Sequence, residues 1–401
     1  MKLPISDRIS TMPVSAVRKL AGYASTAKKQ GVKVYHLNIG NPDVKTPQVM
    51  IDVLRNWKDN PIEYAPSQGE TTFVNALVSY YHELGHSFIK DEDIITTVGG
   101  SEAIVMALFT LCNPGDEVLV FEPFYSNYSS LASLVDVRFI AVPTSIETGF
   151  HLPSKNEIEK RITNKTKAML FCTPGNPTGT VYTKKEMDIL VQIAQEKNLF
   201  LISDEVYREY IFEGAPPHTS ILSYMKEYPE NTIMLDSLSK RYSLCGARLG
   251  VFVSKNPELM KGVLKIAQSR LSSGIIDQAV GAKLTEVSQT YLDEVNAEYQ
   301  RRRDVIYEGL TSINGVSLAK PEGAFYSMVK LPVSNAEKFC IWLLETYRSK
   351  DNATVMLAPG AGFYATQGRG ENEVRIAYVL NIEDLKTCVS ILKDALEIYP
   401  D

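Results

Sequence analysis

Residues 232–254 read TIMLDSLSKRYSLCGARLGVFVS. Two apolar, β-branched runs, TIMLDS (232–237) and LGVFVS (249–254), flank a short polar segment that holds Lys240 and Arg248. Neither run alternates apolar with polar residues, so each reads as a strand covered on both faces. Runs of the same kind recur toward the N-terminus: LFLISDEVY (199–207), KAMLFCTP (167–174), VRFIAVP (137–143), EVLVFEP (117–123) and DIITTV (93–98). Segments of helical period lie between them. In KKEMDILVQIAQEKN (184–198), Met187, Leu190, Val191 and Ala194 share one face, which predicts a crossover helix. The alternation predicts an α/β fold built on a largely parallel sheet.

Beyond Gly250 the texture changes. Residues from about 277 to 311 read as one long, charge-laced helix, followed by a second set of signals: strands around AFYSMVKL and EVRIAYVL, and helices AEKFCIWLLETYR and IEDLKTCVSILKDALEIY. A smaller domain is expected there. The whole chain has 401 residues, 44% of them hydrophobic and 22% charged, so there is ample material for a core and no sign of a disordered or collagen-like class. Lys and Arg total 42 against 47 Asp and Glu, a net charge of -5, which provides no basic field for nucleic acid. No stretch of about 18 apolar residues is present to span a membrane. The five cysteines are scattered and form no C-x-x-C pair, which fits a reducing, cytoplasmic location. The N-terminal stretch, with Asp7, Arg8 and Pro13 where a leader needs apolar residues, reads as mature sequence.

Four segments carry candidate chemistry. In SLSKRYSLCGARLG, Lys240 follows Ser237 and Ser239 at a strand end, with Arg248 eight residues on. A lysine so placed is able to form a Schiff base while its neighbours hold a phosphate dianion, although a surface loop with two basic residues is the plainer alternative. LISDEVYREY brings Asp204 and Tyr207 to the carboxyl edge of the sheet, where open α/β folds bind ligands. A carboxylate buried there needs a cation, such as a protonated pyridine nitrogen, unless it merely caps the next helix. TVGGSEAIVMAL sets Gly99, Gly100 and Ser101 between strand and helix, a turn that suits phosphate or simply joins the two. CTPGNPTGTVY fixes the chain around Asn176 with prolines and glycines, as a rigid presenting turn or a plain tight loop.

In this order and at these intervals, PGNPTG, SDEVY and SLSKRYSLCGARLG resemble the class I aminotransferases, pyridoxal 5'-phosphate enzymes of the aspartate aminotransferase-like fold. The resemblance spans nearly the whole chain, from LNIGNPD (37–43) and YAPSQG (64–69) to PEGAFY (321–326) and VRIAY (374–378). It implies fold type I: a large domain (46–285) with a mixed, mostly parallel seven-stranded sheet, and a smaller α+β domain from residues 1–45 and 286–401. Lys240 would be the Schiff-base lysine and proton shuttle, and Asp204 the partner of the pyridine nitrogen. Tyr207 and Asn176 would bond the 3' oxygen. Gly100, Ser101, Ser237 and Arg248 would hold the phosphate, joined by Tyr64 from a second subunit of a homodimer, and Tyr125 would stack on the ring. Arg375 would grip the substrate α-carboxylate, with Gly40 and Asn176 lining that pocket. The partners implied are an amino acid and a 2-oxo acid, with no metal.

Two departures bear on specificity. Tyr125 stands where many aspartate-specific members have Trp, and Ser101 where one subgroup uses Lys for a side-chain carboxylate. Arg270 is a candidate cation for an acidic side chain in the partner's site, or a solvent-facing arginine. The run His82-Glu83-Leu84-Gly85-His86 matches H-E-x-x-H, but Gly85 is expected to end the helix before His86 and spoil zinc geometry. Beside reversible transamination stand β-elimination at sulfur-bearing amino acids by a C-S lyase, and a non-enzymatic sensor domain. For the sensor the chain leaves no room for a DNA-binding module ahead of residue 37.

Overall fold

The computed structural model describes Leu3 and residues 5–400; of the expected domain ends, residues 1, 2, 4 and 401 lie outside the described residues. Its strands in chain order are β1 (Lys33–His36), β2 (Ile94–Val98), β3 (Glu117–Glu122), β4 (Arg138–Pro143), β5 (Thr166–Cys172), β6 (Phe200–Asp204), β7 (Thr232–Ser237) and β8 (Leu249–Ser254). Then follow β9 (Ser317–Leu318), β10 (Tyr326–Lys330), β11 (Ala353–Met356), β12 (Ala358–Pro359) and β13 (Glu373–Ala377). All seven runs singled out in the sequence join one sheet, ordered β2-β8-β7-β6-β5-β3-β4. Pairing is parallel from β7 across to β4, while β8 is antiparallel to both β7 and β2. The link from Ser237 to Leu249 makes no long crossover helix, so β8 returns antiparallel.

Side chains leave the strands alternately for two separate cores. Leu201, Met234 and Val251 enter the core on one face, whereas Ile202, Ile233, Leu235 and Phe252 enter the core on the other. With both faces covered, every residue of β3, β7 and β8 is buried, which accounts for the unbroken apolar runs. The expected crossover helix forms over Lys184–Glu196, opened by a capping box in which Thr183 accepts from the Glu186 N–H and Glu186 returns the bond. Met187, Leu190, Val191 and Ala194 are its buried face.

A third core joins the two ends of the chain. Leu20, Ala24 and Val34 pack with Phe325, Leu343, Val355 and Ile376, β1 pairs with β11, and β12-β13-β10-β9 form a four-stranded antiparallel sheet. The single helix expected over about 277–311 is instead broken. A helix covers Ile275–Gly281, a 3-10 turn Ala282–Glu286, and a new helix starts at Gln289 after the Ser288 cap accepts from the Tyr291 N–H. The break is where the chain changes cores: Val280 and Leu284 belong to one face of the large sheet, Val295, Tyr299 and Leu310 to the third core. Charge content and helical period were continuous across this point, so nothing local marked it. Between Gly250 and this break the chain still packs on the large sheet, through Leu259, Val263 and Ala267 of the helix Pro257–Ser269.

Candidate active site

The carboxyl ends of β5, β6 and β7 and the turn after β2 open on one cavity of about 460 Å³. Eleven expected residues line it: Gly40, Gly100, Ser101, Tyr125, Asn176, Asp204, Tyr207, Ser237, Lys240, Arg248 and Arg375. Tyr64 does not; it lies outside the cavity at 80% exposure.

At one end lies an anion cradle. Gly99, at φ 74°, starts the helix Gly99–Leu111, so Gly100 and Ser101 present first-turn N–H groups. A Cβ on Gly99 would collide with the Arg248 guanidinium, and one on Gly250 with the Gly99 backbone. These two glycines therefore let Arg248 and β8 close up on the turn. Arg248 itself takes a left-handed φ of 52° and donates to the Cys245 carbonyl at 3.0 Å. Ser237 donates to the Leu249 carbonyl at 2.6 Å, with the Ser239 hydroxyl 2.8 Å away.

Lys240 sits in the short helix Leu238–Arg241 that follows β7. Its Nζ donates to the Gly40 carbonyl at 2.8 Å and lies 3.6 Å from Cys245 Sγ. Burial pulls this amine's pKa down, but Tyr326, Cys245 and Tyr125 together outweigh it and leave it above the ordinary value.

Asp204 and Glu205 are neighbours with opposite surroundings. Glu205, fully buried, meets Arg208 and His218 each at 3.0 Å and accepts from the Ile221 N–H. Burial would raise its pKa, yet Arg208 and His218 hold it at about 2. Asp204 has no cation in reach among the described residues; one oxygen accepts from Tyr128 Oη at 2.5 Å and the other from the Val206 N–H at 3.3 Å. Burial pushes its carboxyl up to about 6, against the pull of Tyr128 and Val206. A carboxylate built into a cavity wall without a counter-charge is suited to a cationic ring nitrogen.

At the far end Arg375, on β13, is buried and donates to Asn176 Oδ1 at 3.0 Å and the Asn38 carbonyl at 2.5 Å, while its Nε is unpartnered. Its guanidinium lies over the Tyr326 ring at 4.5 Å. Asn176 Nδ2 points to the Tyr207 hydroxyl at 3.4 Å, which is 3.0 Å from the Tyr326 hydroxyl. Asn176 sits in the expected rigid turn, between cis Thr173–Pro174 and Asn176–Pro177 bonds.

Three residues were missed in the sequence. Tyr128 stands three positions after Tyr125 in EPFYSNY and Tyr326 ends PEGAFY, and neither was given a role. Arg18 lines the cavity from a segment that carried no motif. Arg270 lies off the cavity, donating to the Thr96 carbonyl at 2.6 Å beside Glu102 at 3.4 Å. In the H-E-x-x-H run the helix ends at Glu83, Gly85 turns at φ 91°, and His82 Nε2 donates to the Ile89 carbonyl, so the two histidines do not share a helical face.

A buried unpaired carboxylate, a lysine amine, an anion cradle and a buried arginine around one cavity fit a pyridoxal-phosphate site. Residues 32–392 match the family model described as aminotransferase class I and II. An aspartate aminotransferase of Pyrococcus horikoshii is 30% identical over 400 residues, 98% of this chain and 97% of that protein. Among solved structures, an aminotransferase from Escherichia coli is similar at TM-score 0.90 and 26% identity, over 100% of both chains. An alanine aminotransferase from Pyrococcus furiosus is similar at TM-score 0.87 and 28% identity, over 99% of this chain and 100% of that one. The chain belongs to the class I and II aminotransferases. It is a pyridoxal-phosphate-dependent transaminase with the type I fold. No helix among the described residues is long and apolar enough to cross a membrane.

Proposed function

We propose that this enzyme moves an amino group between an L-amino acid and a 2-oxo acid by a ping-pong cycle in which cofactor and substrate are handled by the residues above. Pyridoxal phosphate supplies an aldehyde that takes up the amino group and a ring that accepts the electrons released at the α-carbon. Lys240 Nζ anchors the cofactor, then carries the proton between the α-carbon and the cofactor's C4' carbon. Asp204 holds the ring nitrogen protonated. Asn176 and Tyr207 bond the 3' oxygen, and Tyr125 covers the ring. Gly100, Ser101, Ser237 and Arg248 neutralise the phosphate. Arg375, with its free Nε edge, takes the α-carboxylate beside the Gly40 backbone. The observation that carries the reading is Asp204: among the described residues it is the one acidic side chain lining the cavity, and it has no cation of its own.

The same reading makes the protein a cytoplasmic homodimer in which Tyr64, exposed in the single chain, completes a neighbour's phosphate site. It divides the chain at residues 45 and 285, with the smaller part closing over substrate to expel water. Transamination is tested by mixing the cofactor-loaded protein with single amino acids and following the visible band of the bound cofactor. Loss of the band, and its return on adding 2-oxoglutarate, supports it. Pyruvate and ammonia released from cystathionine without an acceptor would point to elimination instead. Full activity in Lys240→Ala would refute both.

A further inference from the structure

Four cations line the cavity: Lys240, Arg248, Arg375 and Arg18. The first three have roles in the transamination reading, on which this inference rests. Arg18 has none, and its side chain forms no hydrogen bond or ion pair among the described residues.

The segment that carries Arg18 is anchored, although Arg18 itself is exposed. Its backbone is fixed in a turn, where the Arg18 and Lys19 N–H groups both donate to the Ser15 carbonyl at 3.1 and 2.9 Å. On one side Lys19 pairs with Glu337 at 2.5 Å. On the other, Asn38 Nδ2 donates to the Val17 carbonyl at 2.8 Å, while the Asn38 carbonyl receives Arg375 Nη2 at 2.5 Å. Asn38, itself buried, thus ties the segment carrying Arg18 directly to the arginine expected to grip the α-carboxylate. Both arginines line the same cavity, and Asn38 links the segment of the one to the side chain of the other.

Among the described residues no carboxylate pairs with this charge. Ser15, Val17, Ile39 and Asn41, all neutral, line the same cavity. A second cavity of about 240 Å³ shares Arg18 and Ile39 with the first and is lined further by Lys28 and His36, with no carboxylate. Burial, and after it the charge of Lys28, whose Nζ lies 2.6 Å from His36 Nε2, lower the His36 pKa. Neither position that the sequence suggested for a substrate-reading cation competes with Arg18. Residue 101 is a serine, and Arg270 is turned to Glu102 and the Thr96 carbonyl.

We propose that Arg18 is a specificity-determining residue that binds an anionic side chain of the substrate, so that the preferred amino donors and acceptors are dicarboxylates held at two points. Arg375 takes the α-carboxylate, and Arg18 takes the distal one through its planar fork. A neutral side chain leaves the Arg18 guanidinium hydrated and gains nothing from it.

The test compares the cofactor-loaded wild type with Arg18→Gln and Arg18→Lys. Single-turnover kcat/KM is measured for L-aspartate and L-glutamate against L-asparagine, L-glutamine and L-alanine. Binding of the unreactive acids glutarate and butyrate is followed by calorimetry. In Arg18→Gln the acidic-over-neutral ratio should fall at least about tenfold, as should the glutarate-over-butyrate affinity ratio, with partial recovery in Arg18→Lys. Ratios within about twofold of wild type, or equal losses for both kinds of ligand, would overturn the assignment. Should no amino acid react at all, the transamination reading fails, while the glutarate arm still decides the role of Arg18.

Discussion

Tyr128 donates its hydroxyl to Asp204 across 2.5 Å, and both are buried at the carboxyl edge of the large sheet. This bond lowers the Asp204 pKa against the larger, opposing effect of burial. Removing it in Tyr128→Phe is expected to lift the carboxyl in the cofactor-free protein above its value of about 6, since a bond to a charged acceptor is worth roughly 1.5–3 kcal/mol. Carboxyl-stretch infrared titration reads the midpoint. An unchanged midpoint would show that Tyr128 does not hold the ionised form.

Asp204 also sets a pH-dependent cost on the empty site. Its folded-state pKa is raised from 3.8 to about 6, so the stability it contributes is complete below 3.8 and is lost as pH rises through about 6. Asp204→Asn should therefore make the cofactor-free protein more stable at pH 8, by an amount on the order of 3 kcal/mol, and make little difference near pH 4. Urea unfolding at the two pH values measures this. With cofactor bound the order should reverse, because the asparagine no longer answers a charged ring nitrogen.

Gly99 and Arg248 share one contact that tolerates no side chain, and Gly99 stands at φ 74°. Gly99→Ala is expected to displace Arg248 and to strain the backbone by about 1 kcal/mol. Affinity for pyridoxal phosphate should drop at least tenfold by about 1.4 kcal/mol or more, and affinity for pyridoxal, which lacks the phosphate, should change far less. Equal losses for both would place the damage elsewhere.

Tyr326 gives Arg375 a ring face at 4.5 Å and gives Tyr207 a hydroxyl at 3.0 Å. Phenylalanine keeps the first and removes the second; leucine removes both. Butyrate affinity should stay near wild type in Tyr326→Phe and weaken about fivefold to thirtyfold in Tyr326→Leu. The pH at which the bound cofactor's absorbance changes should move in both variants. A butyrate affinity equally weakened in both would count against the ring contact.

His151 joins two parts of the chain away from the cavity, with Nδ1 3.0 Å from Glu186 and Nε2 3.4 Å from Glu322. Hydrogen bonds to Glu186 and Glu322 raise its pKa from 6.5 to about 10. The stability it confers is complete below pH 6.5 and is lost as pH rises through about 10. His151→Gln should cost about 1–3 kcal/mol at pH 7, allowing for solvent screening at this half-buried site, and should converge with wild type above pH 10. A pH-independent difference would show a packing effect alone.

Much of this was legible in the sequence because the signals were local. β7 and β8 are buried on both faces, so their composition alone marks them, and Ser237, Lys240 and Arg248 follow at fixed offsets along one short connection. Asn176, Asp204 and Tyr207 stand out for the same reason, each at a strand end or in a proline-bound turn. The helix break at residues 287–288 was not legible, because it is set by which core the chain joins next. Tyr128 was hidden because an aromatic one helical turn past Tyr125 suits a core equally well, and its partner Asp204 lies 76 residues on. Arg18 was hidden because its placement depends on Asn38 and Glu337, both remote in sequence.

The central claim is that Lys240 carries the cofactor. The most direct measurement is borohydride reduction of the protein loaded with pyridoxal phosphate, followed by proteolysis and mass mapping of the fixed pyridoxyl group. The account predicts one modified residue, Lys240, and no fixed label in Lys240→Ala. A label on another lysine, or full labelling in the Lys240→Ala protein, would contradict it.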